Sequence, residues 1–508
     1  MHSTASAPSL LGTIFGIGEF EGQRDVALRS TSTQHAFELA LLDYVAMNSF
    51  PASALRTVLV SNSDFLMGHV LVGASQHLVP ASHDDALAAR ESLRVAQELL
   101  GSRGNDAASQ SERLHVHALD AMVNGRAREA AMIYETILSA DPSDLLALRC
   151  SYDLYLQLGD YKNLLGTVSR RLPLWSPAQN GYSHLLSMQA FGLMALGRLD
   201  AAEMLAEKAL TMNGNDRWAL HTMLHIYEAR GNANHGASYA MQHQNSFDNG
   251  GPLERHLYFQ WGLFLMELGR YDRINKFIEL HMLQPNQSSL PSVQALCDAT
   301  QMFWRLHFAK EDTSALLHQL VDAWHSVSAN NASATWSPLQ LVLRHSIFAA
   351  SGATHDVQQL PTDNCVDASR VGSSLGVTPV QLSFDHPPGV VKTVYDDVCM
   401  GLTAYGQGAF EDATAALTRA RGNISVLGHT HVEHDLFDLL AIDSASRCAD
   451  LTLAKLLLNE RLSARPQSAQ SWQSYSRVSE TIGDASAMRD AQNMSYVLGL
   501  GQGGNQTH

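Results

Sequence analysis

Three histidines and a glutamate have the spacing best suited to chemistry in this chain of 508 residues. His221, His225 and Glu228 follow one another at intervals of four and three residues. His256 lies near the start of the next predicted helical hairpin. On a helix, this spacing places side chains on consecutive turns of one face. Two imidazoles four residues apart can chelate a transition metal, and histidine can also act as a general acid or base near neutral pH.

Three interpretations of these side chains are open at the level of sequence. His221, His225 and His256 could bind a divalent metal, although the pattern is not His-Glu-x-x-His and a further ligand is not established. The histidines could instead perform acid–base chemistry, with Glu228 orienting one of them. In the third interpretation they are hydrogen-bonded groove residues that serve recognition or helix packing. No cofactor is predicted, and a divalent metal is the one addition that these residues would allow.

The composition indicates a large folded protein with an acidic character. Apolar residues make up 45 % of the chain and charged residues 17 %, which allows a substantial core. A net charge of −16 without basic stripes disfavours a nucleic-acid partner. No run of about 18 apolar residues is present, so we expect no membrane-spanning helix. Five scattered cysteines and an N-terminus without Lys or Arg favour a cytoplasmic protein with reduced thiols.

A series of glycines reveals the repeat that contains these histidines. Each glycine separates two amphipathic segments, and successive glycines are 34, 38, 34 and 38 residues apart. The five glycines are Gly125, Gly159, Gly197, Gly231 and Gly269. A helix–turn–helix period of 34 residues is typical of tetratricopeptide repeats. Small residues such as Ala202 and Ala206, with Pro142 and Pro285 closing two units, agree with this. The pattern predicts an all-α solenoid of helical hairpins, curled into a superhelix with a concave groove.

The same pattern divides the chain into seven consecutive segments. These are a flexible N-terminus (1–27), a helical cap (28–110), regular hairpins (111–290), irregular helical hairpins (291–351), a loop or lid insertion (352–392), repeat-like helices (393–498) and a disordered tail (499–508). The insertion is proposed because prolines, glycines and serines interrupt the helical pattern there.

The repeat register predicts which side chains face the groove. Positions thirteen, ten, six and three residues before each turn glycine lie on the face opposite the helix–helix contacts. This register and two histidine-bearing stretches give the predicted ligand-binding residues, which are His69, His115, Arg149, Asp153, His184, Trp218, Phe259, His431 and Asp435. Arg149 and Asp153 could equally pair with each other, and residues 428–435 could form a solvated turn at a helix start.

Several stretches are more specific than the repeat itself. They include Asp64-Phe-Leu-Met-Gly-His69, Glu112-Arg-Leu-His115, Gln189-Ala-Phe-Gly-Leu, Asp216-Arg-Trp-Ala-Leu-His221-Thr-Met-Leu-His225 and Gly428-His-Thr-His431. On these stretches the chain resembles the tetratricopeptide repeat protein 38 family over about residues 28–350 and 395–480. It departs from the family at Tyr152 and Gln260, where the family carries histidine, and at 432–434, where the family reads Ala-Gln-Arg. The resemblance implies a fold and a shared set of histidines, and it implies no particular activity.

The combined pattern predicts a solenoid whose pocket, lined by histidines and carboxylates, binds a small molecule or a peptide. The alternative function is a small-molecule enzyme that uses His221, His225 and His256 as acid–base groups or metal ligands. Convergence of titratable groups on adjacent inner helices is typical of a binding or catalytic site. The sequence leaves the oligomeric state open and predicts neither a nucleic-acid nor a membrane partner.

Overall fold

The computed structural model describes residues 31–80, 84–103, 109–248, 251–283, 290–330, 336–352, 384 and 386–500. Every regular element in these ranges is helical, and no β-strand occurs in them. None of the described helices combines the length and apolarity needed to cross a bilayer. The predicted N-terminus (1–27), most of the predicted insertion and the tail beyond Leu500 lie outside the described residues.

The helices are numbered in chain order. They are α1 (Thr31–Val45), α2 (Pro51–Ser61), α3 (Leu66–Leu78), α4 (Asp85–Ser102), α5 (Gln110–Val123), α6 (Ala127–Ala140), α7 (Leu145–Gln157), α8 (Tyr161–Arg171), α9 (Tyr182–Ala195), α10 (Leu199–Met212), α11 (Arg217–Ala229), α12 (Ala233–Gln242), α13 (Gln244–Phe247), α14 (Glu254–Glu267), α15 (Tyr271–Phe277), α16 (Val293–Phe308), α17 (Ser314–Asn330), α18 (Pro338–Ser351), α19 (Pro388–Gly406), α20 (Phe410–Arg421), α21 (His431–Arg447), α22 (Leu451–Ala464), α23 (Ala469–Ile482) and α24 (Ala485–Leu500).

A glycine in the left-handed conformation ends the first helix of each regular hairpin. These glycines, with φ between 65° and 77°, are Gly125, Gly159, Gly197, Gly231 and Gly269. The residue after each glycine donates its amide back into the helix, as Arg270 does to the Leu265 carbonyl at 2.8 Å. A Cβ disfavours this conformation, so glycine is the favoured residue there. The predicted all-α solenoid of tetratricopeptide-type hairpins is therefore confirmed.

Small side chains allow the paired helices to approach closely. Ala130 on α6 and Ala202, Ala206 and Ala209 on α10 are fully buried. A larger side chain at these places would force the helices of a close-packed core apart. The helix α19 begins at Pro388, within the segment predicted as an insertion up to residue 392. Proline favours this first helical position because its φ is already helical and its missing amide hydrogen is not needed.

The C-terminal helices fold back across the inner face of the regular hairpins. The His429 amide donates to the Leu156 carbonyl at 2.9 Å. The Gln470 side-chain amide donates to the Met266 carbonyl at 2.8 Å, and the Ser468 hydroxyl donates to Glu267 at 3.0 Å. These bonds connect parts of the chain that are more than 200 residues apart. They place the C-terminal segment over one side of the predicted groove.

The C-terminal helices that fold back across the hairpins are called the returning segment. One buried histidine in this segment makes the free energy of unfolding depend on pH. His434, on α21, donates Nε2–H to the Gly428 carbonyl at 2.7 Å. Burial lowers the pKa of His434 from 6.5 to about 4. The unfolded state therefore binds more protons between these two values, and the free energy of unfolding falls as the pH drops from 6.5 towards 4. The full loss from this group is roughly 3 kcal/mol.

Replacing His434 by glutamine is expected to flatten this pH dependence, because glutamine keeps an N–H donor and does not titrate. Urea unfolding at several pH values between 7 and about 4.5 measures the slope, since the pKa difference places the effect there. The matched control is His318→Gln, because His318 is an exposed histidine on α17 and should leave the slope unchanged. A slope of H434Q equal to that of the parent protein would contradict the prediction.

Candidate functional site

A partly open cavity of about 740 Å³ lies between the regular hairpins and the segment that crosses them. First helices of successive hairpins supply many of its aromatic and imidazole side chains, among them Phe191, Trp218, His221, His225 and His256. The loop before α21 and its first turn close the opposite side with His429, Thr430 and Glu433. The solenoid therefore positions the site through its repeat, and the returning segment covers one side of it.

His221 and His225 form a close pair on α11. Their Nε2 atoms are 3.1 Å apart, and both side chains are buried. The ring of Phe191 stacks on His221 with a centroid distance of 5.3 Å and an interplanar angle of 16°. Burial, and then the neighbouring cationic groups, lower the pKa of both histidines well below its ordinary value. Both imidazoles are therefore neutral at physiological pH.

His256 approaches this pair from the adjacent helix α14. Its ring centroid is 5.1 Å from that of His221. One potential ligand nitrogen from each of the three histidines lies within 4.8 Å of the others. The Nδ1 of His256 is 3.2 Å from the Oδ2 of Asp298, a fully buried carboxylate on α16. Burial lowers the pKa of His256, but the Asp298 carboxylate outweighs this and the pKa is raised overall.

Within the described residues, Glu228 forms its hydrogen bonds and ion pairs with partners other than His221, His225 and His256. Its Oε2 is 2.8 Å from Nε2 of His431, and its Oε1 is 2.5 Å from Nη1 of Arg465. Glu228 lies in the last turn of α11, where the returning C-terminal segment meets the hairpin. The predicted orienting role of Glu228 is therefore corrected, because Asp298 is the carboxylate that orients a cavity histidine. His431 extends the cluster outward, with its ring centroid 5.7 Å from that of His225.

Arg149 and Asp153 line the cavity as a mutually neutralised pair. The Nη2 of Arg149 is 2.9 Å from the Oδ1 of Asp153, and the guanidinium is fully buried. Tyr44 donates its hydroxyl to Asp153 at 3.1 Å. The Arg149 guanidinium lies 4.7 Å from the centre of the Trp218 ring. The pairing that the sequence allowed between these residues is formed, and it stabilises the cavity wall without leaving a free charge.

Arg255 lines the same cavity and was not identified from the sequence. Its side chain is half-buried, and within the described part of the chain its guanidinium forms no hydrogen bond or ion pair. Burial lowers the pKa of Arg255, and the charge of Glu254 offsets this only in part. A cation that has lost water without gaining an acceptor is a natural partner for an anionic ligand.

Two of the predicted ligand-binding histidines instead connect successive hairpins. The Nε2 of His115 is 2.8 Å from Asp144, and the Nδ1 of His184 is 2.9 Å from Asp216. Each aspartate uses its other oxygen to cap the next first helix. A cap shared with the preceding hairpin fixes the relative position of the two units. These histidines lie outside the lining of the cavity.

The remaining predicted residues also lie outside the cavity lining. His69 is half-buried, and its Nε2 is 3.0 Å from the Ser63 carbonyl. Phe259 is fully buried behind His256, with ring centroids 5.4 Å apart. Asp435 is buried among arginines, at the contact between the regular hairpins and the C-terminal helices. The structure therefore brings together His221, His225 and His256, with His431 beside His225, and leaves His69, His115 and His184 in separate structural contacts.

The fold and cavity define a tetratricopeptide-type α-solenoid with a cavity that several histidines line. No family model matches the chain. Similar solved structures include the human IFIT1 dimer with PPP-AAAA, at 13 % identity over 88 % of this chain and 86 % of that chain, with a TM-score of 0.35. The TPR domain of P58(IPK) is also similar, at 13 % identity over 78 % of this chain and 100 % of that one, with a TM-score of 0.21.

Proposed function

We propose that this protein binds a small organic anion in the cavity between its regular hairpins and its C-terminal segment. The observation that carries the proposal is the position of Arg255, a partly desolvated guanidinium without an ion-pair partner in the described chain, at the wall of a cavity of about 740 Å³. Small-molecule sites typically occupy roughly 300–1,000 Å³ and combine apolar walls with a few convergent polar groups. Aromatic rings, histidines and aliphatic side chains supply much of the rest of this wall.

The covered side of the cavity favours a small molecule over a peptide. His429, Thr430 and Glu433 block one side of the groove along which an extended peptide would lie. The wall also holds the acidic residues Asp153, Asp248, Glu254 and Glu433. Asp153 pairs with Arg149, Asp248 accepts a hydrogen bond from the Tyr258 hydroxyl, and Glu433 accepts hydrogen bonds from the Thr430 amide at 2.9 Å and its hydroxyl at 2.6 Å. The charge of Glu254 offsets the burial of Arg255 only in part. Arg255 therefore supports the choice of an anion.

Replacing Arg255 by glutamine is expected to weaken binding of an anionic probe by tenfold or more. A hydrogen bond to a charged group contributes about 1.5–3 kcal/mol, which corresponds to roughly ten- to a hundredfold in the dissociation constant. The probe is 8-anilinonaphthalene-1-sulfonate, followed by its fluorescence, with benzoate as a competitor. Benzoate should displace the probe from the parent protein.

The charge-matched control is Arg273→Gln, because Arg273 is an exposed arginine on α15. R273Q should bind the probe as the parent protein does. Equal affinity of R255Q and R273Q would overturn the anion site. Failure of benzoate to compete would show that the probe binds elsewhere on the surface.

The second candidate function is an enzyme that acts on the bound molecule. The observation in its favour is the buried Asp298, which engages the Nδ1 of His256 and leaves Nε2 for a ligand. A carboxylate that orients an imidazole is a recurrent arrangement in general base catalysis and in metal sites. A bound carboxylate that is chemically converted by the parent protein, but not by His256→Gln with its probe affinity retained, would favour this candidate.

We also propose membership of the tetratricopeptide repeat protein 38 family and a cytoplasmic location. The first proposal is supported by the stretches that end at His69, His115 and His225, and by the segment from Gly428 to Asp435. The second is supported by the unpaired state of the four described cysteines, three of which are buried. Fractionation of cells that express the tagged chain would test the location.

A further inference from the structure

We propose that His221, His225 and His256 bind a divalent transition-metal ion of the zinc class. The site would lie in the wall of the cavity to which we assign a small anion. The metal ion would be a partner that the proposed anion could coordinate. Only this contact between metal and anion rests on the proposed function. Binding of the metal itself needs no organic ligand.

The positions of the three imidazoles fit tetrahedral coordination. A zinc–nitrogen bond of 2.0–2.1 Å places two ligand nitrogens about 3.3–3.4 Å apart in a tetrahedral site. The Nε2 atoms of His221 and His225 are already 3.1 Å apart. The nitrogen of His256 lies within 4.8 Å of both, so a displacement of about 1.5 Å or less would complete the set. All three side chains extend from rigid helices, α11 and α14.

Asp298 provides the outer contact that metal-binding histidines commonly have. It engages the Nδ1 of His256, which directs Nε2 to the ion and fixes the tautomer. The side-chain amide of Gln294 holds Asp298 by donating to Oδ1 at 3.0 Å. Asp298 is fully buried.

Three protein ligands would leave a fourth position open on the cavity side. Catalytic zinc sites have this arrangement, with water or substrate in the fourth position. Arg255 precedes His256 on α14, and both line the cavity. A small carboxylate could therefore contact the ion with one oxygen and the Arg255 guanidinium with the other. The ligand class that results is a small carboxylate, anchored at both a metal and an arginine.

The test is metal binding by the full-length, tag-free protein. Protein stripped with a chelator is titrated with Co²⁺, whose visible absorption reports tetrahedral nitrogen coordination, and Zn²⁺ content is measured by mass spectrometry after dialysis. We expect one equivalent of metal per chain. His225→Ala and His256→Ala should each weaken binding by at least a hundredfold, and Asp298→Asn by about ten- to a hundredfold.

His318→Ala is the matched control, since it removes an exposed histidine on α17, and it should retain one equivalent. Circular dichroism of each variant verifies folding. Absence of Co²⁺ or Zn²⁺ binding by the folded parent protein, or unchanged binding by folded H225A and H256A, would overturn the metal site. Probe binding by metal-free protein that still depends on Arg255 would leave the anion proposal intact, so the two proposals can fail separately.

Discussion

Replacing Asp435 by asparagine is expected to lower the free energy of unfolding by about 3–5 kcal/mol. Asp435 lies on α21, is 7 % exposed, and forms a bidentate ion pair with Arg461. Arg305 and Arg465 each approach its Oδ2 at 3.7 Å. Burial alone would raise the pKa of Asp435, but the three arginines hold it well below its ordinary value. The neutral variant would keep one acceptor oxygen but remove the negative charge that the buried guanidinium groups share.

The cost should be large because this cluster joins helices in the middle of the chain to the C-terminal helices. Arg305 belongs to α16, whereas Arg461 and Arg465 belong to α22 and the residue following it. Arg465 also pairs with Glu228 on α11 at 2.5 Å. Loss of the central carboxylate charge would leave three largely buried cations near one another. The same contact holds the C-terminal segment over the cavity.

Asp438→Asn provides the control on the same helix. Asp438 is 38 % exposed and pairs with Arg421 at 2.7 Å, and solvent screening limits such surface pairs to about 0–1 kcal/mol. Urea unfolding followed by circular dichroism at pH 7 measures both variants. The difference between D435N and the parent protein should shrink as the pH falls below about 3.9, because Asp435 is then protonated in the unfolded parent while the folded parent keeps it ionised. Equal destabilisation by D435N and D438N would contradict the prediction that the buried charge of Asp435 stabilises the fold more than the exposed charge of Asp438.

The fold could be predicted because each repeat carries a local sequence signal at its turn. A glycine is favoured wherever a hairpin turn needs a positive φ, so the turns are visible as residues such as Gly231 and Gly269. The register counted back from those glycines placed His221, His225 and Phe191 on the inner face, and all three line the cavity. Regular backbone geometry converts these local signals into three-dimensional positions.

The sequence signal fails where another residue takes the position of the glycine. Lys310 and Ala449 end α16 and α21 with φ of 68° and 63°. The Lys310 turn has the same hydrogen bonds as the glycine turns, since the next amide, of Glu311, donates to the Leu306 carbonyl at 3.1 Å. The turn of the hairpin that contains Asp298 therefore has no glycine to mark it in the sequence. This explains why the carboxylate that orients His256 was missed.

Closure of the cavity could not be predicted from local signals either. The partner of Glu228 is His431, 203 residues further along the chain. No period or spacing relates the two, because the contact depends on where the whole superhelix brings its C-terminal end. Arg255 was missed for a simpler reason, since it lies one position before the inner-face stripe that begins at His256. Apart from the repeat itself, the proposed site therefore depends most on the returning segment.

Gly428→Ala is expected to destabilise that closure by more than about 3 kcal/mol and to expose the cavity. Gly428 has φ 91° and ψ −178°, a conformation essentially restricted to glycine that costs other residues about 1–3 kcal/mol. A Cβ at this position would lie 2.2 Å from the Gln157 carbonyl oxygen. Because the opposing atom belongs to the backbone, the loop itself would have to move. The neighbouring bond from the His429 amide to Leu156 would then be lost.

Gly408→Ala separates conformational strain from the loss of contact. Gly408 also has a positive φ, of 74°, but a Cβ there meets nothing within 4 Å. Its cost is therefore limited to the left-handed conformation, about 1–2 kcal/mol. Urea unfolding and hydrogen exchange over residues 425–434 measure both variants. We expect G428A alone to lose exchange protection in this segment. Benzoate should also displace the anionic probe less effectively from G428A than from the parent protein. Equal effects of G428A and G408A would mean that the segment does not need close backbone contact to close the cavity.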